Sequence, residues 1–81
     1  MPDQAPPLKA MVRSARDASG LSLRQLARES GVGLSYLHRL ETGQAVRPGP
    51  RVLRKLATAL GRDAHERSEL YGELMRSQRY L

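Results

Sequence analysis

The sequence predicts an all-α domain of five helices. Three observations predict it. Apolar residues recur at intervals of three and four over most of the chain, the spacing of helices buried along one face. Alternating apolar and polar runs are absent and β-branched residues are scarce, so nothing reads as a strand. Between the periodic segments stand Gly, Pro, Ser and Asp, the residues that stop and start helices.

Residues 1 to 6 read as a Pro-rich, disordered tail. Pro7 suits the first position of helix 1, about residues 7 to 19, because its ring presets φ and it has no N–H to lose. Leu8, Met11, Val12 and Ala15 follow at helical spacing, and Gly20 ends the helix. Ser22 and Gln25 form an S-x-x-Q capping box for helix 2, about 23 to 30. Gly31 supplies the positive φ that ends it and turns the chain. Helix 3, about 34 to 42, starts behind Gly33, a weaker N-cap than Ser or Thr, and is closed by Gly43. Residues 44 to 49 form a loop, and Pro50 starts helix 4. Val52, Leu53, Leu56, Ala57 and Leu60 give helix 4 an apolar face, and Gly61 ends it. Asp63 and Glu66 form a second capping box for helix 5, about 64 to 79, whose apolar residues are Leu70, Tyr71, Leu74 and Met75. Phe and Trp are absent, so the core is built of Leu, Val, Ala and Met.

Composition removes several classes of function. With 81 residues the chain is expected to hold one domain with a small core. There are no cysteines, which excludes disulfides and thiolate metal sites. His38 and His65 are too few and too far apart for a metal cluster, so no metal and no cofactor is expected. The longest apolar run is Ala10 to Val12, too short for a membrane span or a signal-peptide core, and the protein reads as soluble and cytoplasmic. No Cys nucleophile, acid cluster or Gly-rich phosphate loop is present, and Ser14, Ser19, Ser30, Ser68 and Ser77 read as having no neighbouring His at useful spacing, so catalysis is not expected. The net charge is +6, and all the positive residues but Lys9 and Lys55 are arginine. A GC-rich genome would also favour Arg over Lys, but it does not explain the net charge. Arginine's planar fork suits phosphate and guanine edges.

The most informative stretch runs from Leu23 to Leu40. Leu26 and Ala27 form an apolar pair on a short helix, with the small Ala27 where a second helix must cross closely. Val32 plugs the corner behind Gly31. Leu37 and Leu40 give the second helix one apolar edge, and Ser35, His38, Arg39 and Thr42 lie on the other. A short helix with an apolar back and a polar, basic front fits a DNA major groove, which makes this segment a helix-turn-helix.

The order of elements resembles the DNA-binding domain of the lambda-repressor/Cro-like family, also called the XRE family. The residues that carry the resemblance are Arg16-x3-Gly20-Leu21-Ser22, Leu26-Ala27, Gly31-Val32, Tyr36-Leu37-x-Arg39-Leu40-Glu41-x-Gly43, Pro48, and Leu56-Ala57-x2-Leu60-Gly61. Together they cover about residues 8 to 75. The stretch Asp63-Ala64-His65-Glu66-Arg67-x2-Leu70 is similar to a subset of actinobacterial-type regulators, which often carry a further ligand-binding domain. The chain is then either a small stand-alone regulator or an N-terminal domain, with residues 7–81 as the DNA-binding unit. Two positions depart from the family. Leu23 stands where a Gln or Thr often touches phosphate, so only its N–H can do so. Gly33-Leu34-Ser35 stands where base-reading polar residues are common.

The resemblance and the outward face of helix 3 together give candidate roles. Leu34, Ser35 and Arg39 are the base-reading candidates: Leu34 against a thymine methyl, Ser35 to a base edge or phosphate, Arg39 across O6 and N7 of guanine. A phosphate contact is the other reading of Arg39, and helix capping that of Ser35. Arg24, Gln25, Tyr36, Arg47 and Arg51 are the phosphate candidates; Gln25 also serves the capping box, and Tyr36 also has the look of a half-buried packing residue. The family's docking mode places the start of helix 2 and the loop before helix 4 against the DNA backbone. His38 reads as a solvated histidine, and His65 has no assigned role. Arg16 and Glu41 match a family ion pair that ties helix 1 to the end of helix 3.

The resulting expectation is a compact lambda-repressor-like domain that binds double-stranded DNA as a transcriptional regulator, with repression following from promoter occupancy. One such domain reads few base pairs, so a homodimer is expected at least on operator DNA. Helix 5 is expected to offer part of its apolar surface, with Tyr80 and Leu81, to that dimer; the competing reading is that Leu70 and Leu74 finish the core and the chain is monomeric until it meets DNA. Two alternatives stay open: an antitoxin that also caps a toxin partner, and a protein-interaction adaptor that keeps the fold without reading DNA.

Overall fold

A computed structural model of the chain describes residues 7–44 and 47–78. The expected tail, two loop residues at 45 and 46, and positions 79 to 81 lie outside the described residues. The helices are α1 (Leu8–Ser19), α2 (Leu23–Ser30), α3 (Leu34–Glu41), α4 (Pro50–Leu60) and α5 (Ala64–Gln78), with no strand among the described residues.

Local chemistry sets the ends of these helices. Pro7 is the residue before α1 rather than its first, because its ψ of 147° is extended while its carbonyl already accepts from Ala10 and Met11. α1 closes with Gly20 at φ 72°, and the Gly20 and Leu21 N–H groups return to Asp17 and Arg16. Both halves of the α2 box are made: Gln25 N–H donates to Ser22 Oγ at 3.1 Å, and Ser22 N–H to Gln25 Oε1 at 2.8 Å. Gly31 ends α2 at φ 76°. α3 stops one residue earlier than expected. Thr42 flanks it, with its hydroxyl turned back to the His38 and Arg39 carbonyls, and Gly43 and Gln44 close the end through Leu40 and Arg39.

Gly61 ends α4 for a different reason. Its φ of −81° is open to any residue. A Cβ there would sit 2.6 Å from Arg67 Cγ and 2.8 Å from the Arg67 nitrogen, so the glycine lets α5 fold closely onto the end of α4. Arg67 Nε then donates to the Gly61 carbonyl at 3.1 Å. The second capping box is shifted by one residue. Asp63 accepts from the Glu66 N–H as expected of a cap, but Glu66 accepts from the Arg62 N–H, not from Asp63.

The core gathers one side of every helix: Leu8 and Val12 of α1, Leu26 of α2, Leu37 and Leu40 of α3, Leu53, Leu56, Ala57 and Leu60 of α4, and Leu74 of α5, with Val32 plugging the α2–α3 corner. Pro48 is also buried, and its carbonyl accepts from the Gln78 side chain, which ties the loop before α4 to the end of α5. The remaining apolar residues of α5 are partly covered. Leu70, Tyr71 and Met75 pack against the core, and the Arg54 guanidinium lies 4.4 Å from the Tyr71 ring centroid. These three residues are only partly buried, and Tyr80 and Leu81, also expected at a dimer surface, lie outside the described residues.

Candidate nucleic-acid interface

α2 and α3 are joined by Gly31, Val32 and Gly33, and α3 has eight residues. A helix this short is not stable alone and takes its position from packing. Leu37 and Leu40 anchor it in the core, which turns Leu34, Ser35, His38 and Arg39 outward. Those four residues and Leu23, the first residue of α2, line one open depression. The structure therefore brings together the three base-reading candidates, Leu34, Ser35 and Arg39, and adds two residues that were not assigned a role. Leu23 half-buries against the core beside them, and His38 is exposed at the same depression. The signal for His38 was its spacing of four from Leu34; the signal for Leu23 lies only in the way α2 and α3 meet.

The other candidates surround this face. Arg24 and Gln25 are exposed on the first turn of α2. The capping box uses the Gln25 N–H and its carbonyl oxygen, so the N–H groups of Leu23 and Arg24 are those left for an anion at this helix end. Gly33 and Gly49, before α3 and α4, cap with no side chain, so the N–H groups of Leu34, Ser35 and Tyr36 in α3 and of Arg51 and Val52 in α4 also stay open, Pro50 having none. Arg47 and Arg51 are exposed on either side of the α4 start. Tyr36 is half-buried against the core; burial raises its pKa above the ordinary value of 10.0, and the Arg39 cation pulls part of that back.

Behind the face, Arg16 and Glu41 are joined by two hydrogen bonds, Nε to Oε2 at 2.7 Å and Nη2 to Oε1 at 3.0 Å. A third bond runs from Arg16 Nη1 to the Leu21 carbonyl at 2.9 Å. The side chains are 15% and 8% exposed. The bonds to Glu41 raise the Arg16 pKa above its ordinary value, so the guanidinium keeps its charge. The fork links α1 to the last residue of α3, the end opposite Leu34.

Among the described residues no group of His, Asp and Glu is placed to hold a metal ion, and no helix is long and apolar enough to cross a membrane.

A family model described as a helix-turn-helix domain matches residues 10–70. The HTH-type transcriptional regulator SlrR of Bacillus subtilis (strain 168) is 40% identical over 50 residues, which cover 62% of this chain and 33% of SlrR. The chain thus spans about a third of that relative's length. No solved structure matches significantly.

Proposed function

The chain belongs to the helix-turn-helix DNA-binding domain family, and from that premise we propose that it regulates transcription by binding specific duplex DNA, with α3 in the major groove. The observation that carries the reading is the division of α3 into a buried edge, Leu37 and Leu40, and an exposed one, Leu34, Ser35, His38 and Arg39. Ser35 and Arg39 supply donors to base edges. Arg24, Gln25, Tyr36, Arg47 and Arg51 hold phosphates, assisted by the open helix starts of α3 and α4. Arg16 and Glu41 fix the angle at which α3 is presented.

Repression by occupying promoter DNA is the simplest outcome for a domain of this size. Two copies pair on a two-fold operator, because a single recognition helix covers too few base pairs for useful affinity. Pairing on DNA rather than beforehand fits an α5 whose Leu74 is buried and whose Leu70, Tyr71 and Met75 are partly buried against the core.

Selection of bound sites from random duplex DNA tests this reading. A recovered consensus with two half-sites about one helical turn apart is the expected result. Binding that is indifferent to sequence and vanishes as salt is raised would instead make the domain an adaptor with incidental affinity for polyanions.

A further inference from the structure

The recognition face has an apolar component that the polar contacts do not use. Among the described residues Leu34 is the one large apolar side chain left exposed, at 36%. It does not stand alone, because Leu23 of α2 lines the same depression, with Ser35, His38 and Arg39 completing it. Two leucines from two helices thus form one apolar wall among hydrogen-bonding residues. A polar base edge set against that wall would lose water and gain no partner.

The major groove displays one apolar group suited to such a wall, the methyl on C5 of thymine. Cytosine methylated at C5 carries the same group at the same ring position. Building on the DNA-binding reading above, we infer that Leu23 and Leu34 form a receptor for the C5-methyl of a pyrimidine, so that the protein distinguishes methylated from unmethylated pyrimidines, 5-methylcytosine included. The receptor lies on the same face as Arg39. The methylated pyrimidine is accordingly read close to the base pair that Arg39 reaches.

Chemistry permits a test that changes only the methyl. Once a bound site has been selected, each thymine is replaced by deoxyuridine, which keeps the pairing and every hydrogen-bonding group in both grooves but removes the methyl. Burying one such group is worth about a fourfold change in affinity. One thymine per half-site should show that loss with the full chain. At that position, cytosine should bind about fourfold less well than 5-methylcytosine. Leu34→Ala should bring both ratios close to one, and its thermal melt should match wild type because Leu34 lies outside the core. Arg39→Ala should bind more weakly overall and keep the methyl effect.

Equal binding of thymine and deoxyuridine at every position, by a protein that still selects a site, overturns the receptor and leaves the proposed function standing. So does equal binding of cytosine and 5-methylcytosine, or a methyl effect that survives in Leu34→Ala. Failure to select any site overturns the receptor and the function together.

Discussion

Breaking the fork between Arg16 and Glu41 should cost more than its place near the surface suggests. The two side chains are 15% and 8% exposed, and both carboxylate oxygens are engaged, at 2.7 and 3.0 Å. In Arg16→Ala the carboxylate keeps its burial and loses its cation, a loss of about 3–5 kcal/mol for a desolvated pair. The Leu21 carbonyl also loses its donor from Arg16. A domain of this length has about 4–12 kcal/mol of stability in all. The variant should therefore melt at least about 12 °C lower, at roughly 4 °C per kcal/mol. The pair substitution Arg16→Met with Glu41→Leu removes both charges and leaves only the Leu21 carbonyl short, worth about 1–3 kcal/mol. It should be more stable than either Arg16→Ala or Glu41→Ala. Urea melts of wild type, Arg16→Met, Glu41→Leu and the pair, followed by circular dichroism, give the cycle directly. A loss below about 1 kcal/mol in Arg16→Ala would class the fork with ordinary surface ion pairs. Additive losses in the pair substitution would show that the two residues are not coupled.

Other consequences can be checked separately. Arg24→Ala, Arg47→Ala and Arg51→Ala should each weaken binding to all sequences and lower the slope of log affinity against log salt by about 1; an unchanged slope in Arg47→Ala would remove the loop before α4 from the interface. Arg39→Ala should cost about 1–3 kcal/mol on the selected site, relax preference at one position and leave the melt unchanged; uniform weakening would reassign Arg39 to phosphate. Gly61→Ala should destabilise by about 1–3 kcal/mol because its Cβ meets the Arg67 backbone, and a neutral result would mean that α5 can shift away at no cost. The raised pKa of Tyr36 favours its neutral form in the folded state, so stability should hold up to pH 10.0 and fall as pH rises beyond it. Phenolate absorbance in a Tyr71→Phe, Tyr80→Phe background should show that titration above 10.0, and higher still with Arg39→Ala.

What the sequence revealed about this domain divides by range. The α2 capping box was legible because both partners lie within four residues and their chemistry is reciprocal. Gly20, Gly31 and Gly43 were legible as helix ends because φ values of 72°, 76° and 79° are local demands that glycine meets most easily. Pro7 was misplaced by one residue because φ, which the ring fixes, is nearly the same on either side of a helix start, while ψ depends on whether the residue lies inside the helix. The reason for Gly61 was out of reach, since it concerns the room that Arg67 needs six residues later. The cation over Tyr71 was out of reach for a related reason: Arg54 meets that ring only because α4 and α5 pack side by side. Outward and inward edges of α3 could be read from spacing alone, but its neighbour Leu23 could not.

The same division governs how the interface can change. α3 is held at both ends by groups that do not face outward: Val32 at the corner where it begins, and the Arg16–Glu41 fork with the Gly43 turn where it stops. Its middle is held by Leu37 and Leu40. None of these residues is shared with the outward set of Leu34, Ser35, His38 and Arg39, which lies outside the core. Substitutions in the outward set should therefore alter what is bound while the helix stays in place. Substitutions in the inward set should shift α3 and weaken every contact together. The α3 candidate that crosses this boundary is Tyr36, whose ring packs on the core and whose hydroxyl is the proposed phosphate contact. Tyr36→Phe, which keeps the ring and removes the hydroxyl, should thus weaken binding on all sequences without lowering the melting temperature. A lower melting temperature with unchanged binding would place the hydroxyl in the fold instead of the interface.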